Sequence, residues 1–180
     1  MTDVNDELNQ LVLTLQRGGV AVLRTDTLYG IVARADDEAA VAQVYRLKRR
    51  DSNKSSIILV ADASQTYADV LTLPSLNTSQ PTSILLDSPH APQWLRRAND
   101  MLAYRQPQLP WLQAVLHQTG PLIAPSANLE GQLPARTINE ARVYFGNGVD
   151  YYYDGGTVPT NTPPSRLVRV LSDGVVERLR

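Results

Sequence analysis

Pro121-Leu122-Ile123-Ala124-Pro125-Ser126-Ala127-Asn128-Leu129-Glu130-Gly131 is the stretch on which the reading of this chain turns. Leu122-Ile123-Ala124 is a short apolar run of the kind that forms a buried strand. Pro125 breaks the run, and Ser126 and Asn128 put a hydroxyl and a carboxamide where the chain leaves the sheet. In open α/β sheets ligands collect at such strand ends. Two other segments answer it. Thr25-Asp26-Thr27-Leu28-Tyr29-Gly30 follows the strand-like Val20-Ala21-Val22-Leu23, and Lys48-Arg49-Arg50-Asp51-Ser52-Asn53-Lys54 is a basic run. Hydroxyls, a carboxamide and clustered cations suit a polyanion, with a nucleoside triphosphate the obvious candidate.

Working outward, Leu8, Leu11, Val12 and Leu15 recur at helical spacing, and Gly18-Gly19 stops that helix. Asp36 is expected to cap a second helix with the apolar stripe Ala40, Val41, Val44 and Tyr45, which runs into the basic cluster. Residues 57–60, 84–86, 101–104 and 151–153 read as strands, and 72–82, rich in Thr, Ser, Pro and Asn, as a loop. Pro110 opens a helix through His117. Thr137 with Glu140 three residues on has capping-box spacing. Residues 167–171 and 175–178 are expected to form a hairpin around Ser172-Asp173-Gly174. Helices and strands alternate first and strands dominate later, which predicts a mixed α/β sheet.

At 180 residues the chain suits one domain over 1–180, burying about 70% of its unfolded surface. Its apolar runs are far shorter than a membrane span, and the acidic N-terminus lacks the apolar core of a signal peptide. The absence of cysteine excludes disulfides, thiolate metal sites and thiol catalysis, and fits a cytoplasmic protein. Net charge is only −1, yet the basic residues cluster, and just two of the 17 are lysines. Arginine's planar fork favours oriented contacts with phosphate and carboxylate; a solubility or codon bias would give the same composition.

Several familiar chemistries are missing. There is no G-x-x-x-x-G-K-[ST] loop, and Gly146-Asn147-Gly148 lacks the third glycine of a dinucleotide fingerprint. His90 and His117 are the only histidines and have no zinc spacing. Ser126 is not in G-x-S-x-G.

Taken together, the segments resemble the YrdC/TsaC family of threonylcarbamoyl-AMP synthases, in the short single-domain form. Members carry Pro-Thr-Asp/Glu-Thr-x-Tyr-Gly, Lys-x-Arg, Ala-x-Arg-x-Pro, Ser-Ala-Asn-x-Ser-Gly and a late Pro-Ser-Thr. Here the corresponding residues are Thr25 to Gly30, Lys48-Arg49-Arg50 with Lys54, Ala103-Tyr104-Arg105-Gln106-Pro107, Ser126 to Gly131 followed by Arg136-Thr137, then Asp154-Gly155-Gly156 and Pro164-Ser165. The order holds from about residue 8 to the end. The chain departs from the pattern at Arg24, Ser55, Ser56, Met101 and Arg166, and 79–83 replaces a Trp-Pro-Gly-Pro-x-Thr segment.

The resemblance implies a twisted, open mixed sheet with flanking helices and a concave cationic site. It implies a nucleotidyltransferase that makes threonylcarbamoyl-AMP and pyrophosphate from L-threonine, bicarbonate and ATP with magnesium, serving tRNA modification beside the anticodon through threonylcarbamoyl-transfer proteins. Lys48 and Arg50 become the catalytic candidates, with Lys48, Arg50 and Lys54 on the triphosphate. Thr27, Arg105 and Ser165 are expected to hold threonine. Ser126 and Asn128 are expected to face the phosphates and magnesium, with Arg136 and Arg178 as further nucleotide contacts.

Each assignment has a structural competitor. The basic run also suits a solvated helix end that complements the helix dipole, Thr27 a turn hydroxyl, Arg105 a sheet-edge ion pair, and Ser126 and Asn128 an Asx or Ser turn. Tyr151-Tyr152-Tyr153 fits a half-buried strand better than a base-stacking platform. The competing functions are a double-stranded RNA- or tRNA-binding protein using the same basic concavity, and a catalytically inactive paralogue.

Overall fold

The computed structural model describes residues 4–73, 79–97, 100–170 and 175–180. Strands β1 (Ala21–Arg24), β2 (Tyr29–Arg34), β3 (Ile58–Leu59), β4 (Thr82–Asp87), β5 (Met101–Arg105), β6 (Leu122–Ile123), β7 (Tyr151–Tyr152), β8 (Arg166–Val170) and β9 (Val176–Arg178) form one sheet, ordered β7-β1-β2-β6-β3-β5-β4-β8-β9. The pairs β1/β7, β3/β5 and β4/β8 are parallel, and the others antiparallel.

Helices α1 (Val4–Gln16), α2 (Glu38–Lys48), α3 (Gln93–Arg96), α4 (Pro110–Thr119) and α5 (Ile138–Phe145) cover both faces. Alternation along β1 shows it. Val20 and Val22 pack with the buried residues of α2 and α5, while Ala21 and Leu23 pack with those of α1 and α4. A strand buried on both faces needs apolar residues throughout, which is why 20–23 and 29–33 carry no charge.

The helix ends follow local chemistry. The second helix is capped by Asp37, whose side chain accepts from the Ala40 N–H, and not by Asp36 as expected. Asp36 is instead drawn to the Arg34 guanidinium at 2.6 Å. At α5 the Thr137 hydroxyl accepts from Glu140 N–H, and the Glu140 carboxylate closes back on the N–H of Arg136. That box is one residue wider than the usual one.

Strand β2 and the short α3 carry no element in the sequence reading, and the strands expected at 57–60, 84–86, 101–104 and 151–153 shift by one or two residues at their ends. The expected 72–82 loop ends where Thr82 begins β4, with 74–78 outside the described residues. The β8–β9 hairpin forms with Val168 opposite Arg178, while its expected turn, Ser172-Asp173-Gly174, also lies outside them.

Candidate functional site

The two segments that the sequence singles out are hydrogen-bonded to one another. Past the end of β6, Pro125 O accepts from Ile31 N–H at 3.0 Å, Ser126 forms a bridge with Gly30, and Ala127 N–H donates to Tyr29 O at 2.8 Å. The Tyr29-Gly30 half of the first segment is thus the start of β2, and only 25–28 is a turn. That turn is closed by the N–H and hydroxyl of Thr25, both donating to Leu28 O.

The turn at 126–128 is built around a buried lysine. Lys48 is only 1% exposed, and its ammonium donates to Ser126 O, to Asn128 O at 2.7 Å and to Asn128 Oδ1 at 3.4 Å. Burial, assisted by repulsion from Arg50 and opposed by Glu130, pulls the Lys48 pKa down to about 8. Asn128 spends its amide on Leu129 O and Gln132 O, and its Oδ1 also accepts from the Ser126 hydroxyl at 2.6 Å. Lys48 and Asn128, expected to touch the nucleotide, are therefore struts of the turn: their polar atoms point into the backbone and neither lines the cavity above it.

That cavity has a volume of about 450 Å³. Thr27, Arg50, Arg105, Ser126 and Ser165, five residues expected at the site from five separate segments, all line it. Leu85, Met101 and Leu167 give it an apolar wall. Arg105 is 4% exposed and lies at the end of β5, between β3 and β4, not at a sheet edge. Its Nε donates to Asp26 at 3.1 Å, and Nη2 is 3.5 Å from the hydroxyls of Thr25 and Thr27. Burial lowers its pKa, while the Asp26 carboxylate opposes that shift.

The basic rim is paired internally. Arg50 Nη2 donates to Ser55 O at 2.8 Å, and Nη1 lies 3.6 Å from Glu130. Lys54 is half exposed, bonded to Glu130 at 2.5 Å, and outside the cavity wall. Arg136 does not reach the wall because its guanidinium is held by Val158 O. Arg178 is exposed on β9 and is also off the wall. Arg180 occupies that place, with Leu167 and Arg180 exchanging backbone hydrogen bonds and Arg180 Nη2 donating to Ser165 O at 3.1 Å. Asp26 and Arg180 were missed as site residues. Only the pairing register of the last strand puts Arg180 at the cavity, a signal that no local pattern carries.

Two departures from the family pattern, Ser56 and Arg24, find partners. The Ser56 hydroxyl meets Tyr45 Oη at 3.0 Å, and that Oη donates to Lys54 O. Arg24 reaches Gly155 O at 3.0 Å and packs so close that a Cβ on Gly155 would lie 2.6 Å from its own Cβ. Next to it, Tyr29 Oη meets Asp154, Gly156 O and Gly155 N–H, and burial first, then Asp154, pushes its pKa up to about 12.

Among the described residues no carboxylate side chain lines the cavity, and no group of three or more His, Cys, Asp or Glu is placed to hold a metal. Hydroxyls and guanidiniums fit phosphate. They do not fit a protein-held magnesium ion, which takes one or two carboxylates in addition to phosphate oxygens. No described helix is long and apolar enough to cross a membrane.

Comparison with known proteins gives a consistent result. The Sua5/YciO/YrdC family model, described as "Telomere recombination", matches residues 13–180. A threonylcarbamoyl-AMP synthase of Coxiella burnetii is 30% identical over 172 residues, covering 91% of this chain and 92% of that protein. One of Yersinia enterocolitica is 32% identical over 153 residues, covering 79% and 80%. Among solved structures, P. abyssi Sua5 complexed with L-threonine superposes with a TM-score of 0.84 at 23% identity, covering 96% of this chain and 53% of that longer one. E. coli YciO gives 0.79 at 22% identity, covering 96% and 87%. With a family model spanning nearly its whole length and relatives of this similarity, the chain belongs to the Sua5/YciO/YrdC family.

Proposed function

We propose that this protein is a threonylcarbamoyl-AMP synthase working in the cytoplasm as a single domain. The observation that carries this reading is the cavity itself: one concavity with a guanidinium and hydroxyl rim and an apolar wall, in a chain 30% identical to a synthase over nearly its full length. Its volume suits small ligands.

In this reading the threonine amine condenses with bicarbonate to give the carbamate and water. A carbamate oxygen then bonds to the α-phosphorus of ATP, the bond to the bridging oxygen breaks, and pyrophosphate leaves. A formed carbamate needs no strong protein base, so catalysis rests on alignment and on neutralising charge. That agrees with a wall whose described residues include no histidine and no carboxylate side chain.

Arg105, fixed by Asp26, and Thr27 hold the threonine carboxylate and hydroxyl, with Ser165 nearby. Arg50, Lys54 and Ser126 meet the phosphates. Lys48 acts as a positioning residue by holding the Ser126 turn. Magnesium arrives with the triphosphate as part of the substrate. The product passes to threonylcarbamoyl-transfer proteins that modify tRNA beside the anticodon. The test is pyrophosphate release from ATP, bicarbonate and magnesium: threonine dependence is expected, and its absence at high enzyme concentration rejects the reading. Arg50→Ala is expected to weaken ATP binding.

A further inference from the structure

The three cations that the sequence offers to a triphosphate are all already engaged. Lys48 is spent on the carbonyls of the turn. Arg50 and Lys54 share one carboxylate, that of Glu130, at 3.6 and 2.5 Å. The same two cations hold the Glu130 carboxyl below its ordinary range, the Lys54 hydrogen bond first. Glu130 is placed there by its backbone, because its N–H donates to Lys48 O at 2.8 Å, immediately before the left-handed Gly131. The backbone is pinned, while the side chain itself is 32% exposed. In the family turn Ser-Ala-Asn-x-Ser-Gly, Glu130 stands where a neutral serine is written.

We propose that Glu130 is an internal counter-anion, displaced from Arg50 and Lys54 by the phosphates of an incoming nucleotide, so that this carboxylate sets the affinity of the rim for polyanions. The proposal rests on the reading of Arg50 and Lys54 as phosphate contacts. The ligand phosphates and the Glu130 carboxylate compete for the same N–H donors, so the ligand must first break two ion pairs that a neutral side chain would not form. Surface ion pairs are individually weak, which makes the contact displaceable. It also makes the expected effect moderate and dependent on salt.

The experiment titrates inorganic tripolyphosphate, a non-hydrolysable ATP analogue and adenosine into the full chain, Glu130→Gln and Glu130→Ser, at low and high salt. Both variants are expected to bind tripolyphosphate and the analogue about threefold to tenfold more tightly at low salt, with the gain shrinking as salt rises. Adenosine, which carries no phosphate, is expected to bind all three alike. Unchanged or weaker tripolyphosphate binding in both variants overturns the proposal, as does a failure of all three proteins to bind it. The synthase reading is scored separately by threonine-dependent pyrophosphate release from the unaltered chain. Tighter anion binding without that release sinks the synthase reading alone; release without tighter binding sinks the Glu130 proposal alone.

Discussion

The floor of the cavity and its basic rim draw on the same short run of sequence and behave as opposites. On the floor, Lys48 is buried to 1% exposure and joined to the 126–128 turn, and Arg105 is buried against Asp26. On the rim, six residues after Lys48, Lys54 keeps over half of its side chain in water and holds a single carboxylate. A buried cation must have its partners fixed before any ligand arrives, because an unpaired charge there is costly. A cation at the surface can exchange partners at little cost. The floor therefore sets shape, and the rim is where an anion can bargain for donors.

The contrast can be broken by substitution. The largest effect is expected from Asp26→Ala, which leaves Arg105 buried without its counter-ion: a loss of about 3 kcal/mol or more in urea unfolding. A loss below 1 kcal/mol would mean that the floor is as adaptable as the rim. Next comes Lys48→Met, which keeps the volume but strips the donors from Ser126 O and Asn128 O. A cost of about 2 kcal/mol is expected by the same measurement.

The Lys48 substitution also has a pH signature. Folding lowers the lysine pKa from 10.5 to about 8. Between those values the unfolded chain still holds a proton that the folded chain has released, so stability from this group rises with pH. The deficit of Lys48→Met should accordingly widen from about pH 8 towards 10. A constant deficit across that window would place the lysine in a more solvated setting.

Tyr29→Phe removes the hydroxyl that joins β2 to 154–156 and is expected to cost about 1 kcal/mol in thermal unfolding. Lys54→Ala should move stability by less than about 0.5 kcal/mol while weakening ATP binding. If it destabilised as much as Lys48→Met, the distinction between floor and rim would fail.

Much of the fold was legible in the sequence, because apolar runs and capping residues act locally. The 20–23 run, the Pro110 helix start and the Thr137 cap needed only their neighbours. Strand β2 is hidden for a local reason too: its first residues, Tyr29 and Gly30, continue the polar turn Thr25-Asp26-Thr27-Leu28 without a break in the sequence. The choice between Asp36 and Asp37 as a cap depended on Arg34 competing for one of them. The site was legible in part. Thr27, Arg50, Arg105, Ser126 and Ser165 meet at one cavity, while Lys48, Lys54, Asn128, Arg136 and Arg178 match the motifs without lining it.

By itself, the sequence determined the mixed α/β class, most of the helices and strands, and the family pattern of residue types, since periodicity, caps and motif order are written along the chain. Tertiary structure alone decided which cations are exposed to a ligand. The carbonyls that absorb Lys48 lie about 80 residues away, Arg105 is paired across a similar distance with Asp26, and the register of β9 brings Arg180 to the wall. Partners so distant in sequence meet only when the sheet assembles, and burial there is what separates a strut from a binding group.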